Sequence, residues 1–162
     1  MDIVPETQQA LVPLAQQAAA GYDLLVIFRL AQQEYGLLAS SVREIIRERA
    51  LTRVPNSAPC INGVINLRGR IVPVFNLHRR LGLEEAGKPG AAKRAILIVE
   101  HDGNDAGLLV DEVSDVVKIS EREVDHSAQL LELTGMKHYL EGTVTIGERL
   151  VTLLRLGALL ED

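Results

Sequence analysis

Apolar residues in this chain come in short runs of Leu, Val, Ile and Phe separated by turn-forming residues, a pattern that predicts β-strands rather than amphipathic helices. Strands are expected at Leu24 to Ala31, Glu34 to Ala39, Arg47 to Val54, Ile61 to Leu67 and Arg70 to Phe75, followed by a helical turn or two at Leu77 to Leu83. A second series follows at Lys93 to His101, Ala106 to Asp111, Val113 to Ile119, Tyr139 to Ile146 and Arg149 to Leu154. Gly87, Pro89 and Gly90 mark Glu84 to Ala92 as an exposed connector between the two series. His126 to His138 fits either a short helix or a packed loop. Residues 1–21 are rich in Gln and Ala, and Pro13 interrupts Leu11, Val12 and Leu14, which predicts a flexible or helical extension.

The two series are related. Tyr35-Gly-Leu-Leu-Ala-Ser-Ser-Val-Arg-Glu-Ile-Ile46 aligns without a gap on Ala106-Gly-Leu-Leu-Val-Asp-Glu-Val-Ser-Asp-Val-Val117. Ile61 to Leu77 likewise aligns on Leu140 to Leu156, with Gly63/Gly142, Arg70/Arg149, Val72/Val151 and Leu77/Leu156 coinciding. Two matches in the same order indicate an internal duplication. Each copy supplies about five short antiparallel strands and a terminal helical turn, which suits a small barrel. The expectation is therefore an all-β chain of two pseudo-symmetric five-stranded barrels packed together, with short connecting and C-terminal helices. The first barrel would occupy about 22–83 and the second about 93–155, within one domain spanning 22–160.

Composition narrows the function mainly by exclusion. The 162 residues carry a formal charge of −5, so no basic footprint for a phosphate backbone is evident and nucleic acid is not an expected partner. The longest apolar stretches fall far short of the ~20 residues of a membrane helix. The first twenty residues have two acids and no basic residue, the wrong chemistry for a secretory signal. Cys60 is the one cysteine, which fits a reducing compartment. The four histidines fall into no metal-binding spacing, Ser40 and Ser41 lack a nucleophile-elbow setting, and no glycine-rich phosphate loop follows a strand. Asp102-Gly-Asn-Asp105 reads as a tight hairpin turn rather than a calcium loop. No catalytic residue, metal site or cofactor is expected.

Two segments point to binding. Arg68-Gly69 lies between apolar runs at a two-residue hairpin position, where Gly69 would supply positive φ and Arg68 would be displayed at the tip. Flanked by apolar residues, this arginine could anchor a polar contact at the edge of a greasy interface. Val42-Arg-Glu-Ile45 is the second, and reads alternatively as a strand-linking turn with Val42 and Ile45 in the core and Glu44 in water.

These residues are similar to a known family. Tyr35-Gly-Leu, Val42-Arg-Glu-Ile45, Val54-Pro55, the run from Ile61 through Asn66-Leu-Arg-Gly-Arg70 to Val74, Leu108 to Val116 and Tyr139-Leu-Glu-Gly142 resemble the CheW-type coupling proteins of bacterial chemotaxis. The resemblance spans about Tyr22 to Leu160. It implies two SH3-like barrels and a non-enzymatic cytoplasmic adaptor, recruited to receptor arrays, that couples chemoreceptors to a histidine kinase. The partners it implies are the cytoplasmic tip of the receptor and the regulatory domain of the CheA kinase. It associates Val42, Glu44, Gly63 and Arg68 with receptor contact, and places Asn66 and Gly69 in the same segment. It also leaves open a regulatory CheW-like module of a kinase or of another chemosensory pathway, and the alternative from a different class is a small-molecule-acting enzyme. Asn76 stands where many members have Asp, and Arg155 replaces another frequent acid, departures that bear on local capping and charge pairing.

Overall fold

The computed structural model describes residues 23–83, 93–127 and 137–161. The expectations for residues 1–21, for the connector Glu84 to Ala92 and for most of His126 to His138 lie outside these. The chain is all-β, with ten strands and two short helices among the described residues: β1 (Asp23–Leu30), β2 (Gln33–Leu38), β3 (Val42–Arg47), β4 (Ile61–Leu67), β5 (Arg70–Asn76), α1 (Leu77–Leu81), β6 (Ala95–His101), β7 (Asn104–Val110), β8 (Glu112–Ile119), β9 (Leu140–Ile146), β10 (Arg149–Leu154) and α2 (Leu156–Leu159). They form two five-stranded sheets, ordered β8-β1-β2-β10-β9 and β3-β6-β7-β5-β4. Replacing each strand of the second sheet by its counterpart in the other repeat gives the order of the first. The expected pseudo-symmetry and SH3-like two-barrel architecture are therefore present.

The division of the chain differs from the one expected. Neither sheet corresponds to 22–83 or to 93–155, because each takes two strands from one repeat and three from the other. A short 3-10 turn at Ala39–Ser41 carries the chain from the first sheet to the second, and Asp111 carries it back. The cross-repeat pairs are long: β1 runs antiparallel to β8 from Asp23↔Ile119 to Arg29↔Glu112, and β3 to β6 from Val42↔Val99 to Arg47↔Ala95.

The predicted strand at Arg47 to Val54 is also displaced. The strand is Val42–Arg47, and beyond it the chain touches β4 in a single Thr52↔Val64 bridge. A bulge at Arg43 explains the misreading, since it shifts the phase so that Val42 and Ile45, three positions apart, are both buried. Ser114 is the equivalent bulge in β8, Asn62 and Glu141 the equivalent pair in β4 and β9.

Three apolar clusters account for the burial pattern. Leu25, Ile27, Ile119, Val144, Val151 and Leu153 fill the first barrel, and Ile65, Leu67, Val72, Val74, Ile96, Ile98 and Leu109 fill the second. Between them the alternate residues of β1 and β6, Leu24, Val26, Phe28 and Leu30 with Ala95, Leu97 and Val99, build a larger shared cluster. Both faces of these strands are buried, which is why they read as unbroken apolar runs. Each such side chain contributes about 1.5–3 kcal/mol. Gly36 and Gly107 mark a close approach, since a Cβ there would lie 2.8 Å from Leu25 Cδ1 and from Ile96 Cγ2 respectively.

Helix α1 follows β5 without a loop. Asn76 caps it, accepting a hydrogen bond from the Arg79 amide at 3.1 Å, so asparagine preserves the capping role. Arg155 gives α2 no side-chain cap and instead meets Glu141 at 3.2 Å. Buried His78 on α1 places Nε2 2.9 Å from Asp111 Oδ2, which also accepts the Ala31 amide at 2.9 Å. This clasp ties the crossover residue of the second repeat to two points of the first.

Because both sheets are mixed, a chain severed within 84–92 should give two fragments without independent folds. Each alone is expected to show no cooperative thermal transition, while an equimolar mixture recovers one. A cooperative melt from residues 1–83 alone would refute the interdependence.

Candidate partner-binding face

The candidate residues gather at one end of the β4–β5 hairpin and on the bulged start of β3. Arg68 (φ 51°) and Gly69 (φ 84°) both have positive φ, the type I′ geometry whose twist matches the flanking strands. Asn66 fixes the turn by accepting the Gly69 amide on Oδ1 at 2.8 Å. Gly69 thus has the conformation anticipated, whereas the left-handed backbone of Arg68 was not legible. At the equivalent position of the other repeat stands Gly147 (φ 62°), so the fold does not require an arginine here.

The Arg68 side chain is 72% exposed and its Nη2 reaches Glu44 Oε1 at 2.8 Å and Oε2 at 2.9 Å. The Glu44 carboxylate raises the guanidinium pKa above its ordinary value, first by this hydrogen bond and then by charge. The bulge at Arg43 directs Glu44 toward the turn. Around the pair lie Arg43 and Arg70, both held by Asp105 at 3.3 and 3.1 Å, over a shallow floor of Leu67 and Ile98. Beside the turn Ile71, opposite Asn66 in the ladder, is 67% exposed. Glu44, Asn66, Arg68 and Gly69 thus form one accessible polar face with an apolar neighbour.

Val42 and Gly63 are not part of that surface. Val42 is 4% exposed and belongs to the shared cluster. Gly63 is buried on β4, where a Cβ would stand 2.6 Å from the Thr52 carbonyl oxygen. Gly142 repeats this against the Asp125 carbonyl, also at 2.6 Å. Both residues shape the support beneath the face.

Sequence reasoning missed Arg43, Asp105 and the grouping of Arg70 with them. The signal lay one residue upstream of the first repeat match, where Glu34 precedes Tyr35 as Asp105 precedes Ala106. In the second repeat Arg149 alone spans both acids, meeting Glu34 through Nε at 2.8 Å and Asp115 through Nη1 at 2.8 Å. That clamp holds Glu34, whose side chain is 14% exposed, below the usual carboxylate pKa. In the first repeat the corresponding acids are divided, Asp105 to Arg43 and Arg70, and Glu44 to Arg68.

A family model described as CheW-like domain matches residues 24–162. The chain belongs to the CheW-like domain family. It is 32% identical over 141 residues to a probable chemotaxis protein CheW of Rhizobium etli, covering 85% of this chain and 87% of that one. Similarity to chemotaxis protein CheW of Bacillus subtilis is 33% over 107 residues, 66% of this chain and 67% of the other. Protein PilI of Pseudomonas aeruginosa is 35% identical over 99 residues, 61% of this chain and 54% of its own length. Among solved structures, the scaffolding protein TtCheW from Thermoanaerobacter tengcongensis superposes with a TM-score of 0.78 at 33% identity, covering 86% of this chain and 93% of that one. The shared core of this CheW-like fold is the two-sheet framework that displays the Arg68 turn.

Two measurements test the architecture of the face. Gly63→Ala and Gly142→Ala should each destabilise the protein by about 1–3 kcal/mol, because a backbone carbonyl cannot yield as a flexible side chain can. Denaturant midpoints unchanged in both would show the close approaches to be tolerant. Glu34→Gln tests the clamp: a depressed folded pKa contributes stability above the unfolded value of 4.5 and loses it as pH falls through the folded value. The wild type should melt above the variant at neutral pH, with the gap closing below about pH 4.5. A gap independent of pH would remove the clamp as its source.

Proposed function

We propose that this chain is a non-enzymatic scaffold that couples chemoreceptors to the CheA histidine kinase, with the face around Arg68 engaging the cytoplasmic tip of the receptor. Membership of the CheW-like family supports the coupling role. The observation that carries the assignment of the face is the Arg68–Glu44 pair, held on a rigid I′ turn by Asn66 and absent from the corresponding turn of the other repeat. A folding role would call for the same residue in both turns. An exposed pair beside Ile71 instead provides a charge-assisted donor and acceptor at the margin of an apolar contact, the composition of an interface hot spot.

In this reading Glu44, Asn66, Arg68 and Gly69 meet the receptor, while Val42 and Gly63 act through the shape of the strands beneath. The regulatory domain of the kinase takes a different surface, so that both partners are held together. Among the described residues no helix is long and apolar enough to cross a membrane, and the proposed place of action is the cytoplasm, at receptor arrays.

Arg68→Ala is the direct test. The exposed side chain has few neighbours, so the melting temperature should stay within about 2 °C of wild type. Binding to a receptor signalling fragment should weaken about thirtyfold, with binding to the kinase unchanged. Receptor affinity equal to wild type would return Arg68 to an ordinary solvated arginine.

A further inference from the structure

A second polar surface lies where the segment after β3 passes β4 and α1 begins. Two adjoining clefts there share Arg53, Asn62 and Arg79, and Arg49 and Arg94 line the larger one. Among the described lining residues Glu48 is the one carboxylate, facing Arg94 Nε at 3.4 Å. Four guanidiniums against a single acid is, among the described residues, a local excess of positive charge on a chain whose formal charge is −5.

These arginines are poorly satisfied. Among the described residues Arg53 has no hydrogen-bond or ion-pair partner on its side chain. Arg49 reaches only the Asn66 carbonyl at 3.5 Å, at the limit of a hydrogen bond. The Arg94 side chain is 9% exposed, and its Nε is buried without a hydrogen-bond partner among the described residues. Arg79 is anchored through the Pro59 carbonyl.

The second repeat lacks the arrangement. Ala158 stands at the position equivalent to Arg79, and Glu141 at that equivalent to Asn62. The framework therefore does not need Arg79, just as it does not need Arg68.

We propose that this cleft binds an acidic polypeptide segment of a partner protein, its carboxylates paired with Arg53 and Arg79. The cations are spread over two adjoining clefts rather than gathered in one, which suits a run of side chains better than a single anion. Asn62, whose Oδ1 accepts from buried Asn76 at 3.3 Å, presents an amide nitrogen that can pair with a peptide carbonyl. Val54, 41% exposed, and Pro59 give the rim an apolar edge. Among the described residues no aromatic side chain lines the cleft on which a nucleobase would stack. Asn62 and Arg68 stand at opposite ends of the β4–β5 hairpin, about 20 Å apart by strand rise. Arg53 and Arg79 thus stand away from the face around Arg68, toward which Arg49 reaches through the Asn66 carbonyl, and their assignment does not depend on that of the face.

The test uses the full chain and fluorescein-labelled hexaglutamate, followed by anisotropy at low ionic strength. Wild type should bind, and Arg53→Ala, which removes no side-chain hydrogen bond or ion pair among the described residues, should weaken binding about tenfold, the value of one charge-assisted pair. Arg79→Ala should do the same, with far-UV circular dichroism confirming the fold. Arg29→Ala removes an equal charge from β1 and should leave the affinity unchanged. Absence of binding to wild type, equal losses in the Arg29 control, no loss in Arg53→Ala, or tighter binding of inorganic pyrophosphate than of the peptide would each overturn the proposal. Receptor-fragment binding by the same preparations reports separately on the Arg68 face, so either idea can fail alone.

Discussion

Burial of both faces of β1 and β6 is the constraint from which the architecture follows. Leu25 and Ile27 enter one barrel while Leu24, Val26, Phe28 and Leu30 enter the cluster between barrels, and β6 does the same with Ile96 and Ile98 against Ala95, Leu97 and Val99. A strand so placed cannot satisfy one core without the other. The crossover strengthens the coupling, since β1 is paired with β8 and β6 with β3, each from the opposite repeat. The two barrels are in this sense a single cooperative unit, even though each retains an interior of its own. Gly36 and Gly107 serve the same packing, giving way to Leu25 and Ile96 where a side chain would collide.

Duplication supplies an internal control for separating folding from function. Where the copies agree, the shared feature is structural: paired bulges at Arg43 and Ser114, carbonyl approaches at Gly63 and Gly142, and an arginine bonded to the acid at the start of β2 or β7 through Arg149–Glu34 and Arg70–Asp105. Where they diverge at the surface, the difference is free to carry recognition. Arg68 against Gly147 is the clearest case, and Arg79 against Ala158 is another. The divided network of the first repeat has a consequence as well. Arg149 closes its two acids into one clamp, whereas Glu44 depends on a flexible, largely exposed partner that another protein can displace at small cost.

Most of the strands and the duplication were legible because they rest on local rules: apolar runs for buried strands, glycine at turns, a repeat that preserves spacing. Asp102-Gly103 and Gly69 adopt the positive φ their turns demanded. What was not legible depended on long-range pairing. The exchange of strands between repeats leaves no mark on either copy, because each copy reads the same whether its third strand pairs at home or across. The bulge at Arg43 broke the period-2 pattern and moved the expected strand from Val42–Arg47 to the segment beyond it. The display of Glu44, Asn66, Arg68 and Gly69 together followed from the turn, but the burial of Val42 and Gly63 required the strands on either side.

A coupling protein without chemistry of its own must hold its contacts at fixed positions, and this fold does so with few moving parts. The β4–β5 hairpin has the Arg68 turn at one end and, at the other, Asn62 beside the capped start of α1. Its inward side chains Ile65, Leu67, Val72 and Val74 are locked in the barrel, so the separation of the two ends is set by strand geometry rather than by a linker. Rigidity of this kind lowers the entropic cost of presenting each surface, since the side chains that meet a partner stand on backbone already ordered by folding. It also makes binding at one end of the hairpin energetically independent of the other, unless the strands between them have a second arrangement. The strands between the two ends are packed on both sides, with the barrel interior on one face of β6 and the shared cluster on the other.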